Sequence, residues 1–436
     1  METSTIALII VIVTLVLYAT DKFPIPLISL LSVASMVLLG VMPFGDAFKG
    51  FSGNTFIMVA SMMVIGHALI ENGVVQMVGT RVFHRFANDE RKLLIAFMAF
   101  AAVTSAFIHN SAVMIMMMPI IEYYVRKSGG KLHSKIFDMP VAQSIIMGTR
   151  LALVGSASPI LAQEILLSTE GVERGFRFFE TARVAAPVLV VLFLCYYYII
   201  YPFMYKRFGC DALEEVVPMT EEEELQKSQI TWKTWMCSVI IVLVALGLAF
   251  TDTLKTWIPN LNTATVSLCG ALLLLFSGCI KFKKALKELD LDTLVILGCA
   301  TGFATCFTMS GIGDAVVNKV LEIGGVATNP VLLVAVFTII PCLLINLVAN
   351  SVATAAFAAV AIPLAQGLGI SPLPFVAGIL FGGGCSFLFP TSTYTLTMAM
   401  THGKYKFNDY VIIGAMVGVI CCITAIIGIC AVYGLF

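Results

Sequence analysis

The sequence predicts an all-α polytopic membrane protein built from two inverted repeats, and three observations support this class. Of the 436 residues, 59% are hydrophobic and only 12% are charged, whereas soluble domains carry about 25% charged residues. Apolar runs long enough to enter or cross a bilayer follow one another along the chain. Two similar polar tips, Asn110-Ser111 and Asn350-Ser351, interrupt such runs 240 residues apart, one in each half.

The composition also argues against other classes of protein. The formal net charge is zero, which gives no electrostatic basis for nucleic-acid binding. The 12 cysteines are scattered through apolar segments without metal-ligand spacing, so we interpret them as small packing residues and predict no cofactor. The N-terminus carries Glu2, lacks a basic leader region and continues into a second apolar run, so we do not expect a cleaved signal peptide.

The first repeat is expected to occupy residues 1–208, with full crossings over 6–18, 24–42, 55–79 and 182–205. Within it, residues 93–125 form two apolar arms that flank a polar tip and end in basic loops, the first of which holds Arg81, His84, Arg85, Arg91 and Lys92. The first arm has 16 residues, which is short for a crossing of about 20. This pattern predicts a re-entrant hairpin, which enters and leaves the membrane on one side.

The segment 139–167 is long enough to cross, but its centre contains Gly155, Pro159 and several hydroxyl residues. Glycine and proline both disfavour a helix interior, so we predict a discontinuous helix that is interrupted in its central stretch, Gly148 to Pro159.

The second repeat is expected over residues 232–436, after an acidic cytoplasmic linker at 209–231. It repeats the plan, with predicted crossings over 232–250, 263–280, 293–310 and 407–436. A second hairpin is predicted over 330–364 and a second broken helix over 371–400.

The distribution of basic residues agrees with this topology. Each repeat makes five net crossings, an odd number, so the second must be inverted. With the loop around Arg85 inside, 19 of the 26 Lys and Arg residues are cytoplasmic, as the positive-inside rule requires. Six fall outside and one, Arg150, lies at membrane depth; the six are Lys49, Arg174, Arg177, Arg183, Lys255 and Lys319. Both termini are then expected outside.

Inverted repeats with interrupted helices are typical of secondary transporters, whose sites lie near the membrane midplane. Helix N-termini offer N–H donors to an anion, and freed carbonyls and hydroxyls offer oxygen ligands to a small cation. Asp and Glu are absent from both tips and both breaks. The pattern therefore predicts a site that receives an anion, and it disfavours a cation/proton antiporter. No motif of an intramembrane enzyme is present, so we do not expect an enzyme.

Four motifs resemble those of the divalent-anion:sodium symporter (DASS) family of the ion transporter superfamily. The first tip, Ser105–Ala112, precedes Met118-Pro119, and 348–354 is similar to the second tip. The stretches 154–158 and 389–393, the latter followed by 405–409, are similar to the broken-helix motifs. The resemblance covers nearly the whole chain. It implies scaffold and elevator-type transport domains, a homodimer, and Na⁺-coupled uptake or exchange of dicarboxylates, tricarboxylates or sulfate.

The resemblance, together with the residue types, assigns candidate site residues. Those expected to bind substrate are Asn110, Ser111, Ser156, Ser158, Asn350, Ser351, Thr354, Pro390, Thr391 and Ser392. Those expected to surround Na⁺ are Ser105, His109, Asn110 and Gly155 at one site, and Val348, Asn350 and Leu388 at the other. The spacing from tip to proline differs by about one helical turn between the hairpins, so the second tip is placed either at Asn350 or nearer Thr354.

Two residues have alternative roles. His109 stands where relatives carry serine, and a histidine at this depth either titrates, which would allow H⁺ coupling, or bonds to a backbone carbonyl. Arg150 is a buried cation that requires a partner, which is either the substrate anion or a carboxylate such as Glu71 or Glu164.

The sequence thus predicts an integral protein of a bacterial inner (plasma) membrane that imports small divalent anions, most simply di- or tricarboxylates coupled to Na⁺. The alternatives are an H⁺-coupled or sodium-independent carboxylate exchanger and a permease for sulfate or another oxyanion.

Overall fold

A computed structural model describes residues 3–20, 22–86, 89–128, 132, 134–153, 155–169, 171–172, 174–208, 231–258, 261–310, 329–346 and 350–435. Every regular element in these ranges is helical, which confirms the predicted all-α class. The expected acidic linker lies outside the described residues, except for Thr231.

The described part of the first half contains ten α-helices. They are α1 (Thr3–Thr20), α2 (Ile25–Leu38), α3 (Phe44–Ala47), α4 (Asn54–Glu71), α5 (Val74–Phe86), α6 (Glu90–Ser105), α7 (Asn110–Lys127), α8 (Ser134–Gly148), α9 (Ala157–Ser168) and α10 (Ala182–Phe208). A 3₁₀ turn at Lys49–Ser52 precedes α4, and α10 contains a π-helical turn at Tyr196–Ile200.

The described part of the second half follows a similar order. Its helices are α11 (Trp232–Ala249), α12 (Thr251–Leu254), α13 (Thr263–Phe276), α14 (Phe282–Lys287), α15 (Leu291–Met309), α16 (Pro330–Leu344), α17 (Asn350–Gly367), α18 (Leu373–Gly384), α19 (Tyr394–His402) and α20 (Phe407–Tyr433). A 3₁₀ turn at Pro390–Ser392 lies between α18 and α19.

One local prediction was wrong. The expected crossing over 55–79 is two helices, because α4 ends at Glu71 and Gly73 adopts φ +68°, a left-handed conformation that terminates a helix. The basic residues expected in a loop at 81–85 consequently lie in the amphipathic helix α5. The first broken helix is interrupted within the predicted stretch, since α8 ends at Gly148 and α9 begins at Ala157. Pro159 belongs to the first turn of α9, where its missing N–H costs nothing.

Each predicted hairpin packs against the broken crossing that follows it. The first arm α6 lies along α8, and α16 lies along α18. A Cβ added at Gly148 would lie 2.3 Å from the Ala102 carbonyl oxygen, and one added at Gly382 would lie 2.2 Å from that of Thr338. Both contacts are shorter than any side chain allows, so glycine at these positions permits the same close helix approach in both halves.

The helices form two hydrophobic clusters. The larger core includes the hairpins, the broken crossings, α10 and α20, and it extends to α4, α11 and α13. A smaller cluster joins α1, α2 and α15, with Ala359 of α17 at its edge. Four described helices are long and apolar enough to cross a membrane: Asn54–Glu71, Ala182–Phe208, Trp232–Ala249 and Phe407–Tyr433.

Away from their breaks, the two broken crossings are joined by an ion pair. The Nδ1 atom of His402, at the end of α19, lies 2.9 Å from Oδ2 of Asp138 in α8, whose side chain is fully buried. Tyr405 adds two hydrogen bonds, since its hydroxyl donates to the Lys135 carbonyl and accepts from the Met139 N–H. These contacts fix α8 to α19.

Candidate functional site

The first tip is built by the end of α6 and the start of α7. Asn110 is the first residue of α7, and its side-chain Oδ1 accepts a hydrogen bond from Ser105 Oγ at 3.3 Å. The same buried hydroxyl lies 2.7 Å from the Ile145 carbonyl oxygen of α8. Ser105 therefore connects the tip to the adjacent broken crossing.

Gly155 brings the first break against this tip. A Cβ on Gly155 would lie 2.3 Å from the carbonyl oxygen of Ser105 and 2.9 Å from Cα of Thr149. Only glycine fits, because both neighbours are backbone atoms. Three residues predicted to surround one Na⁺, namely Ser105, Asn110 and Gly155, are therefore adjacent in the fold.

The second tip has a similar arrangement. Asn350 is the first residue of α17, as Asn110 is of α7, and its Oδ1 accepts a hydrogen bond from Thr354 Oγ1 at 3.3 Å. A Cβ on Gly383 would lie 2.8 Å from the same Oδ1, so α18 approaches the tip closely. Helix α17 begins at Asn350, and Thr354 lies one turn into that helix.

Asn346 is a site residue that the sequence analysis missed. Its Oδ1 accepts hydrogen bonds from the N–H groups of Leu388 (3.2 Å) and Phe389 (3.3 Å), and its Nδ2 donates to the Cys342 carbonyl at 2.6 Å. One side chain thus satisfies two N–H groups in the second break and ties the hairpin to it. The polar residue in an otherwise apolar run, four positions before Asn350, was the available signal.

Arg150 joins the two breaks. Its side chain is 1% exposed, and Nη1 donates to Ser156 Oγ at 3.2 Å, just before α9 begins. Its Nε lies 3.0 Å from where a Cβ of Gly384 would stand, at the end of α18.

Neither carboxylate suggested as a partner of Arg150 takes that role. Glu71 pairs with Lys284 Nζ at 2.9 Å, and Glu164 Oε2 accepts from Thr301 Oγ1 at 3.5 Å. Within the described part of the chain, Arg150 forms no ion pair, and its Nε has no hydrogen-bond acceptor.

His109 faces away from the break and toward another group of helices. Its Nε2 lies 3.8 Å from Asp290 Oδ2, just before α15, and His67 Nδ1 of α4 lies 3.8 Å from Glu288 Oε2. These four side chains and Ser111 line a cavity of about 340 Å³. The His109 carbonyl accepts a hydrogen bond from the Val113 N–H at 3.1 Å.

The remaining predicted residues differ in their surroundings. Ser392 Oγ lies within hydrogen-bond distance of the Ser386 and Phe389 carbonyls, so it stabilises the second break internally. The buried Pro390 accepts a hydrogen bond from Thr397 Oγ1 at 2.8 Å through its carbonyl. Ser158 is buried in the first turn of α9. Val348 and the side chains of Ser351 and Thr391 lie outside the described residues.

The four elements therefore form one connected unit, from the first tip through the first break and Arg150 to the second break and the second tip. Helices α7, α9 and α17 begin in this unit, at Asn110, just after Ser156 and at Asn350, so it contains three helix N-termini. Such termini and a buried guanidinium favour an anion.

Comparison with known proteins identifies the family to which this chain belongs. Residues 15–379, well over half of the chain, match the citrate transporter family (CitMHS). The chain belongs to this family. The match confirms the resemblance to the DASS-related transporters of the ion transporter superfamily.

Several relatives of this family member are named as transporters. An uncharacterised transporter of Methanocaldococcus jannaschii is 22% identical over 92% of this chain and 87% of that protein. Sodium/sulfate cotransporter 1 of Chlamydomonas reinhardtii is 27% identical over 41% of this chain and 20% of that protein. An uncharacterised transporter of Synechocystis is 24% identical over 40% of this chain, and the chain spans only 28% of its length.

Two solved structures have a similar fold. The YdaH transporter of Alcanivorax borkumensis superposes with a TM-score of 0.63 at 16% identity, over 98% of this chain and 97% of that one. MtrF of Neisseria gonorrhoeae, described as one of a class of antimetabolite efflux pumps, gives a TM-score of 0.64 at 14% identity, over 99% and 94%. At these identities the likeness concerns the fold alone.

Proposed function

We propose that this family member takes up di- or tricarboxylates coupled to Na⁺. The observation that supports the proposal is the connected unit, in which Arg150 lies between the two breaks and each break is fixed to a polar tip. The family description adds citrate as a candidate tricarboxylate.

The donor groups suit a carboxylate-bearing substrate. Amides at Asn110 and Asn350 and hydroxyls at Ser111 and Ser156 supply hydrogen-bond donors, and helix N-termini add backbone N–H groups. Arg150 supplies positive charge without a carboxylate partner among the described residues. Two tips, each with its own amide donor, fit an anion with two or more carboxylates better than a monovalent anion.

Na⁺ is proposed as the co-transported ion because each tip brings carbonyl or amide oxygens, which are suitable Na⁺ ligands, close to its break. Near the first tip these are the Ser105 carbonyl and Asn110 Oδ1, beside Gly155. Near the second tip the candidates are Asn350, Val348 and Leu388. The cotransporter of Chlamydomonas, named for sodium and sulfate, supports this ion and keeps sulfate as an alternative substrate.

The hairpins are proposed to be re-entrant, and the unit that carries them to move as an elevator-type transport domain against a scaffold that includes α4, α13 and α15. Residues 1–208 and 232–436 would be the two inverted repeats, with both termini outside. We also propose that the protein is a homodimer in a bacterial inner membrane.

A second candidate is H⁺ coupling. His109 of the first tip faces Asp290, and His67 faces Glu288, across one cavity between the hairpin and the proposed scaffold. Titration of this group would couple protons to movement of the hairpin.

The deciding experiment is uptake of labelled succinate and citrate into proteoliposomes, with and without an inward Na⁺ gradient. We expect Na⁺-dependent uptake that Asn110→Ala and Asn350→Ala each abolish. Uptake that requires a proton gradient and is indifferent to Na⁺ would favour the second candidate. Uptake of sulfate but of neither carboxylate would contradict the proposed substrate class.

A further inference from the structure

A second cationic region lies apart from the central unit. Residues 174–183, which lead from α9 into α10, and the connection between α11 and α13 enclose a cavity of about 610 Å³. Its lining includes Arg174, Arg177, Arg183 and Lys255, with Glu180 as the carboxylate among the described lining residues. Four cations against one anion give the described lining residues a net positive charge.

The position of these cations is unusual. All four belong to the six Lys and Arg residues that the charge distribution assigns to the outer side of the membrane. Basic residues are depleted on that side, yet most of those present surround one cavity. A shared functional cause explains this better than chance.

The carboxylate of Glu180 already forms an ion pair with Arg174. Arg174 donates to Glu180 through two parallel hydrogen bonds, of 2.7 Å from Nη1 and 3.1 Å from Nη2, and the Arg177 N–H donates to Glu180 at 2.9 Å. Arg183 and Lys255 are both exposed and form no ion pair in the described part of the chain. Glu180 therefore shapes the wall of the cavity, while Arg183 and Lys255 present their charge to its interior.

The position of Arg183 in its helix is also electrostatically unfavourable. It is the second residue of α10, where the positive end of the helix dipole disfavours a cation. The positive end of this dipole adds to the attraction that an anion in the cavity would experience. Phe176, Phe178 and Phe179 form an apolar part of the wall, which lowers the local dielectric constant and so strengthens the field.

The wall is attached to the central unit through α9. Gln163 of α9 donates to the Phe176 carbonyl at 3.1 Å and accepts from its N–H at 2.7 Å. Gly175 permits this contact, since a Cβ there would lie 2.5 Å from Gln163 Nε2. The same helix begins beside Ser156, the partner of Arg150.

We propose that this cavity is an outer vestibule that binds soluble multivalent carboxylate anions and raises their concentration before they enter the central site. The inference rests on the proposed function in taking the transported substrate to be an anion. Clefts of one sign of charge raise association rates by about 10- to 1,000-fold, and this gain falls steeply with ionic strength.

The test uses the full-length protein in phosphatidylcholine proteoliposomes, with citrate as the probe. For Arg183→Gln/Lys255→Gln we expect the KM for citrate at low ionic strength to rise about tenfold with kcat unchanged, and its salt dependence to weaken. Arg183→Lys/Lys255→Arg, which keeps both charges, should retain wild-type behaviour. Lys49→Gln is the matched control, because Lys49 is also exposed and assigned to the outer side but does not line the cavity.

Direct citrate titration of purified protein separates failure of this inference from failure of the proposed function. Binding that survives Asn110→Ala/Asn350→Ala but is lost in Arg183→Gln/Lys255→Gln supports the vestibule, even if citrate is not transported. An unchanged KM and unchanged binding in the charge variant would overturn it. An effect seen only when phosphatidylglycerol is present would also overturn it, because the cavity would then bind a lipid headgroup.

Discussion

Arg150 and Gly384, which lie in different halves of the chain, are in direct contact: a Cβ on Gly384 would stand 3.0 Å from the guanidinium Nε. Helix α8 ends two residues before Arg150, and α18 ends at Gly384. The negative ends of two helix dipoles therefore lie near one buried cation, which explains how it is tolerated without a carboxylate partner in the described residues. The same cation remains available to an anionic substrate.

Replacing Arg150 tests whether this residue mainly stabilises the fold or mainly binds the anionic substrate. A hydrogen bond to a charged group contributes about 1.5–3 kcal/mol, so Arg150→Gln should raise the KM for citrate at least tenfold, by about that free energy. Arg150→Lys should give an intermediate value, because it keeps the charge but loses the guanidinium geometry. KM is to be measured on protein matched for membrane insertion. Unchanged KM together with lost expression would restrict Arg150 to a structural role.

Gly155→Ala tests the contact between the first tip and the first break. The added Cβ would lie 2.3 Å from the Ser105 carbonyl oxygen, so the backbone must shift and the free energy of unfolding should fall by about 1–3 kcal/mol. Na⁺-dependent uptake should fall with it, since the tip is displaced. Thermal unfolding and uptake measure the two effects. Gly45→Ala is the control, because its Cβ would meet no atom within 4 Å.

Asn346 offers a test of the second break. Asn346→Ala leaves the N–H groups of Leu388 and Phe389 without their acceptor, and each unsatisfied buried group costs about 1–3 kcal/mol. We expect loss of thermal stability and of uptake. Asn346→Asp keeps an acceptor oxygen and should recover part of both. Equal behaviour of the two variants would show that the acceptor is unimportant.

The sequence predicted the helical class, the hairpin arms and the two broken crossings, because each depends on local signals: apolar length, polar tips, and clusters of glycine and hydroxyl residues. It also located the first break, between the end of α8 at Gly148 and the start of α9 at Ala157, although the close packing of Gly148 on Ala102 is visible only in the fold. The end of α4 was missed because a single left-handed glycine, Gly73, interrupts a run that remains apolar.

The sequence pattern could not predict contacts between distant segments. Nothing local indicates that His109 faces Asp290, or that Arg150 lies against Gly384. Asn346 was overlooked because the more obvious Asn350 lies four residues later. Sequence pattern thus located the segments of the candidate site, whereas the partners of its charged side chains required the fold.

The His109–Asp290 pair allows the coupling ion to be tested by substitution. The proposed Na⁺ ligands do not include the His109 side chain, so His109→Gln and Asp290→Asn should retain Na⁺-dependent uptake, with at most a change in rate. Uptake is to be followed from pH 5.5 to 8 with and without Na⁺. Abolition of a pH dependence seen in the wild type, by both variants alike, would instead support H⁺ coupling.

The Glu180–Arg174 pair predicts a stability change at acid pH. Burial alone would raise the pKa of Glu180, but hydrogen bonds from Arg174 and from the Arg177 N–H outweigh it and lower the pKa. A lowered folded-state pKa contributes stability above the unfolded value of about 4.3, and this contribution is lost as pH falls through the folded pKa. The effect should be at most about 1 kcal/mol, because the Arg174 side chain is 52% exposed. The difference in thermal stability between wild type and Glu180→Gln should therefore be constant from pH 5 to 8 and shrink below about pH 4. A difference that grows on acidification would show that the carboxylate is destabilised in the folded protein, and that Arg174 does not hold it in the charged form.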